Sequence, residues 1–124
     1  MKLATGVDLI EIARVEAAIA RHGERFLTRV FTPTEIRACG GRTESLAARF
    51  AAKEAISKAF GMGIGAQLGW LDMEVGRKES GEPYVILHGG GQTLLQARGG
   101  RHILISLSHT QTYAAAVAIL EGAD

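Results

Sequence analysis

Four side chains in this sequence have types and positions suited to phosphate chemistry. Asp8 is a carboxylate inside the apolar run LATGVDLI at residues 3–10, where an unpaired charge is expensive to bury. Either it caps the helix that follows, with Glu11 reaching back as the third residue of a capping box, or it serves a metal or catalysis. Glu54 and Lys58 stand four residues apart in an alanine-rich segment, on one helical face and in the order that favours a simple ion pair. Phe50 lies nearly in line with them, so that face is not purely solvated. A carboxylate beside an ammonium can equally hold a metal and a phosphate. His109 falls between two strand-like segments, at or near a bend that leaves its ring accessible. An imidazole there can be incidental, can exchange a proton near neutral pH, or can contact a phosphate.

The elements that must carry these residues are readable from pattern. Residues 3–10 read as a buried strand with Asp8 near its junction with a helix. Ile12, Val15 and Ile19 recur at helical spacing over 12–22, with Arg14, Arg21 and Arg25 falling roughly opposite, and His22-Gly23 closing the segment. Thr32-Pro33 with Glu35 predicts a capped helix to about residue 38. Thr43 is expected to cap the longest helix, 44–60, packed through Leu46, Phe50, Ile56 and Phe60, with Gly61 as its stop.

Residues 61–69 form a glycine-rich loop. LDMEV and YVILH then read as strands of a hairpin turning at Ser80-Gly81-Glu82-Pro83. Glycines 89–91 precede a short helix over about 92–98, and HILISLS and TYAAAVAIL read as adjacent antiparallel strands. The order predicts one α+β domain over 1–124, a largely antiparallel sheet packed on the 44–60 helix.

Composition removes several classes of function. The 124 residues carry a formal net charge of +1 with 47% hydrophobic and 22% charged residues, ordinary values for a globular domain. Residues 1–60 hold ten Lys/Arg against seven Asp/Glu, and 61–124 hold four against six. That bias is too small for general nucleic-acid binding but favours an acidic partner on one face. With no apolar run near the roughly 20 residues of a membrane span, a cytoplasmic, membrane-free protein is expected. The single cysteine, Cys39, excludes an intramolecular disulfide and a multi-cysteine zinc site and reads as packing. Gly61-Met62-Gly63-Ile64-Gly65 follows a helix rather than a strand, and no Gly-Lys-Ser/Thr, HExxH or GxSxG sequence is present.

Taken together, four blocks of the chain resemble the small holo-acyl-carrier-protein synthases, the short type of 4'-phosphopantetheinyl transferase. They are GVDLIEI through Arg14, RFAAKEAISKAFG at 49–61, SGEPYVILHG at 80–89 and SLSHTQTYAAAVA at 106–118, with FTPTEI at 31–36 a weaker match. The helix block is the most specific.

The resemblance implies transfer of the 4'-phosphopantetheine arm of coenzyme A to a serine of apo-acyl carrier protein in fatty acid biosynthesis, with release of adenosine 3',5'-bisphosphate. It implies magnesium held by Asp8 and Glu54, Lys58 neutralising a phosphate oxygen, and Arg49, Gly61, Pro83 and His109 along the coenzyme A site. It further implies docking of the carrier's acidic helix on Arg14, Arg21 and Arg25, and a homotrimer with its site between subunits. Glu54, a water on the metal or His109 can each take the serine proton. Glu82 and Met62 depart from residues frequent in the family, basic and smaller respectively. Two other readings fit the same residues: a transferase for polyketide or peptide synthase carriers, and a non-catalytic module binding coenzyme A or a nucleotide.

Overall fold

An alanine-rich helix lying on an alanine-rich strand sets the geometry of the molecule. The computed structural model describes residues 2–122. In chain order it contains β1 (Lys2–Glu11), α1 (Ile12–His22), α2 (Glu24–Val30), α3 (Pro33–Cys39), α4 (Thr43–Ala59), a 3-10 turn (Trp70–Asp72), β2 (Met73–Arg77), β3 (Pro83–Leu87), α5 (Gly89–Ala97), β4 (Gly100–His109) and β5 (Tyr113–Gly122). β1, β5 and β4 form an antiparallel sheet with β5 in the centre, and β2 and β3 form a separate antiparallel hairpin. The expected α+β class holds, with the sheet in two pieces.

Alternation along the strands divides the three-stranded sheet into two faces. On the inner face Gly6 pairs with Ala118, Asp8 with Ala116 and Ile10 with Ala114. Gly6 and the three alanines let α4 approach, and α4 presents the equally small and buried Ala48, Ala51, Ala52, Ala55 and Ala59. A Cβ on Gly6 would run into the Ala55 carbonyl oxygen and stand 2.8 Å from the Ala59 amide nitrogen. Larger anchors surround the contact: Ile56, Phe60, Leu68 and Met73 are fully or almost fully buried, each worth about 1.5–3 kcal/mol of transfer free energy.

The outer face corrects the expectation of a buried first strand. Leu3, Val7 and Leu9 of β1 are 60%, 60% and 64% exposed, and Leu104, Tyr113 and Val117 stand open on the same sheet. The unbroken apolar run thus signals two apolar faces, of which this chain covers one.

Local signals explain the remaining boundaries. Thr32 and Glu35 form the expected capping box, and Pro33 opens α3. Thr43 is the first residue of α4 rather than its cap, which is Arg42. A helix unseen in the sequence, α2, follows α1 after the single residue Gly23, held at φ 56°. At seven residues it is too short to display a period. Glycines 89–91 begin α5 instead of preceding it, because the helix start abuts Asp72 and Gln67. A Cβ at Gly90 would lie 2.8 Å from the Gln67 carbonyl oxygen, and one at Gly91 2.9 Å from that of Asp72. No helix among the described residues is long and apolar enough to cross a membrane.

Candidate active site

The close approach at Gly6 also brings α4 beside the expected site residue Asp8. Asp8 follows two residues later on the same face of β1, and Glu54 and Lys58 flank Ala55 on the α4 side. Asp8 lies inside the strand and caps nothing. The cap position of α1 is Glu11, without a side-chain cap bond, and the Ile12 amide donates instead to the Thr112 carbonyl at 2.9 Å. Sheet pairing therefore supplies what the expected capping box would have supplied.

Lys58 does not pair with Glu54. Its Nζ reaches across to β1 and donates to the Val7 carbonyl at 3.1 Å and to Asp8 Oδ1 at 3.2 Å. The Asp8 side chain is 16% exposed and that of Lys58 is 53% exposed, so the pair sits at the protein's edge with the ammonium still open to a ligand. Glu54 is half-buried. Burial first, and then the neighbouring charge of Asp8, pushes its carboxyl above the usual carboxylate range, while Lys58 pulls it back. Two carboxylates thus influence each other at one cleft, with one exposed ammonium to offset them.

Asp8 and Glu54 line a cleft of about 430 Å³, together with Leu9, Ile10, Arg14, Val15, Ala18, Phe26 and Phe50. Its lining combines the two carboxylates, the Arg14 guanidinium and apolar side chains. Among the described residues no group of three His, Cys, Asp or Glu side chains can hold a metal. A cation at Asp8 and Glu54 would complete its shell from water or a phosphate ligand. Two carboxylate oxygens as the only protein donors fit a hard cation that retains waters, such as magnesium, and manganese fits the same donors.

His109, Arg49, Gly61 and Pro83 are not among the residues that line this cleft. His109 ends β4, exposed, in a second depression of about 510 Å³ with Ile12, Glu16, Thr43, Glu44, Thr110 and Gln111. Arg49 is 5% exposed, and its guanidinium donates to the Val75 and Ser45 carbonyls at 3.3 and 3.4 Å. Within one chain it therefore ties α4 to β2. Gly61 follows the end of α4 at φ 76°, and Pro83 opens β3.

Arg14, Arg21 and Arg25 are all exposed. Arg14 lines the cleft, while Arg25 belongs to α2, not to the first helix. Glu82 pairs with Lys78 at 2.9 Å across the hairpin turn, and Met62 packs against the core.

Sequence reasoning assigned no role to Lys53. It is fully buried beside a fully buried Glu35, at 2.7 Å. Burial pushes its ammonium below the usual lysine value, against the pull of Glu35. The Thr32 capping box pointed to Glu35, but nothing local pointed to a partner eighteen residues away.

Comparison with known proteins gives consistent matches. Residues 4–118 match the model of the 4'-phosphopantetheinyl transferase superfamily. A holo-[acyl-carrier-protein] synthase of Moorella thermoacetica is 50% identical over 122 residues, covering 96% of this chain and 94% of that protein. One from Koribacter versatilis is 47% identical over 124 residues, covering 98% and 99%. The crystal structure of Helicobacter pylori holo-[acyl-carrier-protein] synthase in complex with coenzyme A superposes with a TM-score of 0.88 at 32% identity, covering 94% of this chain and 99% of that one.

Proposed function

Because the chain belongs to the 4'-phosphopantetheinyl transferase superfamily, we propose that it is a holo-acyl-carrier-protein synthase, which moves the 4'-phosphopantetheine arm of coenzyme A onto a serine of apo-acyl carrier protein. The observation that carries this reading is that Asp8 and Glu54 line one cleft while Lys58, fifty residues from Asp8 along the chain, donates to the Asp8 carboxylate. A module that merely bound coenzyme A would have no need to hold two carboxylates together at the cost of raising the pKa of one.

In the reaction the serine oxygen bonds to the β-phosphorus of coenzyme A, the bond from that phosphorus to the bridging oxygen breaks, and adenosine 3',5'-bisphosphate departs with the electron pair. Magnesium held by Asp8 and Glu54 would screen the negative charge that gathers on the pyrophosphate. Lys58, anchored by the Val7 carbonyl and Asp8, is placed to donate to a phosphate oxygen as the leaving group forms. Glu54, in the cleft, and His109, brought by a neighbouring subunit, are the side chains available to accept the serine proton. The apolar walls Leu9, Phe26 and Phe50 would limit water around the attacking oxygen.

The open apolar face of β1, β5 and β4 supports a homotrimer. Leu3, Val7, Leu9, Leu104, Tyr113 and Val117 are large apolar side chains exposed on this one sheet, as expected of a subunit interface. A neighbouring subunit would bring His109 to the coenzyme A bound at another chain's Asp8 and Glu54, which explains why one chain keeps them in separate depressions. A monomeric variant would then be inactive. Arg14, at the cleft, and the exposed Arg21 and Arg25 offer positive charge to an acidic carrier helix. The protein would act in the cytoplasm, where carrier protein and coenzyme A meet.

Intact-mass spectrometry of apo-acyl carrier protein incubated with this protein, coenzyme A and magnesium tests the activity. A phosphopantetheine-sized gain that EDTA abolishes supports the reading. No gain on fatty acid, polyketide or peptide synthase carriers, with coenzyme A still bound, would point to a binding module.

A further inference from the structure

Behind the cleft lies a buried ion pair that the reaction itself does not use. Lys53 Nζ donates to the Val30 carbonyl at 2.6 Å, Glu35 Oε1 at 2.7 Å and the Trp70 carbonyl at 3.1 Å, which employs all three of its protons. Glu35 also accepts the Thr32 amide at 2.9 Å on Oε1 and the Val75 amide at 2.8 Å on Oε2. Neither side chain has any exposed surface. The pair therefore joins α2, α3, α4, the Trp70 turn and β2 at one point.

Stability alone is a poor account of such a pair. Desolvating two charges cancels most of their attraction, and apolar replacements of similar volume are frequently neutral or stabilising. What the pair does fix is orientation. Lys53 immediately precedes Glu54, and consecutive helical residues are about 100° apart around the axis, so anchoring the first on the buried side aims the second toward β1.

The same ammonium holds the Trp70 backbone and lies 5.4 Å from the centre of the Phe31 ring. Trp70 packs on Phe50 with ring centres 4.8 Å apart, Phe50 stacks on Phe26 at 6.3 Å, and Phe26 meets Phe31 edge-on at 6.1 Å. Phe26 and Phe50 line the same cleft as Asp8 and Glu54.

We infer that the Glu35–Lys53 pair is a positioning device: it locks the rotation of α4 and the aromatic back wall of the cleft so that the Glu54 carboxylate is held in the cleft that Asp8 also lines before a cation or coenzyme A arrives. Lys53 and Glu35 touch no reactant and act only through Glu54, Phe26 and Phe50. The inference rests on the transferase reading for its activity readout but not for its metal readout.

The test is the neutral double variant Lys53→Met/Glu35→Gln, compared with wild type for thermal midpoint, oligomeric state, Mn²⁺ binding by electron paramagnetic resonance, and kcat and KM. The expected result is a folded protein whose Mn²⁺ dissociation constant rises on the order of 10–100-fold, as for other residues that orient a ligand from behind. Its kcat should fall while KM for the carrier stays put. If the double variant does not fold, Lys53→Gln/Glu35→Gln, which keeps hydrogen-bonding groups on both sides without a buried charge, is measured in its place. A folded variant with wild-type Mn²⁺ affinity and wild-type kcat would overturn the inference. If wild type binds Mn²⁺ but transfers nothing, the functional reading fails while the Mn²⁺ titrations still decide on the pair.

Discussion

Gly6 lies so near Ala55 that no methyl group fits between the strand and the helix: a Cβ there would meet the Ala55 carbonyl oxygen. Gly6→Ala must therefore push α4 away from β1, and overpacking of this kind costs about 1–3 kcal/mol. The displacement separates Glu54 and Lys58 from Asp8, so activity should fall by much more than the loss of folded protein. Urea melts combined with phosphopantetheine transfer by the fraction still folded check this. Wild-type turnover in a destabilised Gly6→Ala protein would show that the close approach matters to the fold alone.

Glu54→Gln should separate stability from activity. Burial and the charge of Asp8 both disfavour the ionised Glu54, so above its pKa the carboxylate is a liability to the folded state, and the neutral amide removes it. The thermal midpoint should hold or rise while transfer falls by two orders of magnitude or more, roughly the effect of removing a key charge-stabilising group. Magnesium should raise the midpoint of wild type, by binding the native state alone, and leave that of Glu54→Gln unmoved. Calorimetry with and without magnesium reads both effects.

Lys58→Met should show the reverse balance of a surface pair with a catalytic task. Exposed ion pairs contribute about 0–1 kcal/mol, and the Lys58 side chain is 53% exposed, so stability should scarcely change. A charge-assisted donor lost from the departing phosphate is worth roughly 10²–10³ in kcat. Steady-state kinetics beside a thermal melt distinguish this from a merely structural lysine, whose loss would lower the melt and leave kcat unchanged.

These residues show what sequence exposes and what it hides. The Thr32–Glu35 capping box, the β2–β3 hairpin and the β4–β5 pair were legible because their signals are local: a cap three residues from its partner, a turn between two strands. Asp8 was legible as an oddity, but whether it capped a helix or served a site depended on the Ile12 amide finding the Thr112 carbonyl, a contact across a hundred residues. The same limit hid Lys53, whose partners come from Val30, Glu35 and Trp70. It also made Glu54 and Lys58 read as partners, when a strand fifty residues away, at the start of the chain, competes for the lysine and wins.

Cys39 should be chemically silent in the native state. It has no exposed surface, and burial pushes its thiol above the ordinary cysteine value, outweighing the lowering effect of nearby arginines. Because the thiolate is the reactive form, a disulfide exchange reagent should titrate no thiol in the folded protein and one in denaturant. Prompt reaction in the absence of denaturant would mean that α3 opens readily, and with it the capping box that sets Glu35.

The separation of His109 from Asp8 and Glu54 within one chain yields a test of the assembly. If each site takes its carboxylates from one subunit and its histidine from the next, Glu54→Gln and His109→Ala proteins each have every site damaged. Subunit exchange between the two, mixed equally, should then rebuild intact sites at about a quarter of the interfaces, as random assembly of a heterologous ring requires. Activity should rise from near zero in either parent toward about that fraction of wild type. The rise should be slow, paced by subunit exchange, and absent if the proteins are mixed only at the moment of assay. A mixture no more active than its parents, after exchange has been verified by mass spectrometry, would mean that both residues serve a site within one chain, and the open sheet face would need another partner.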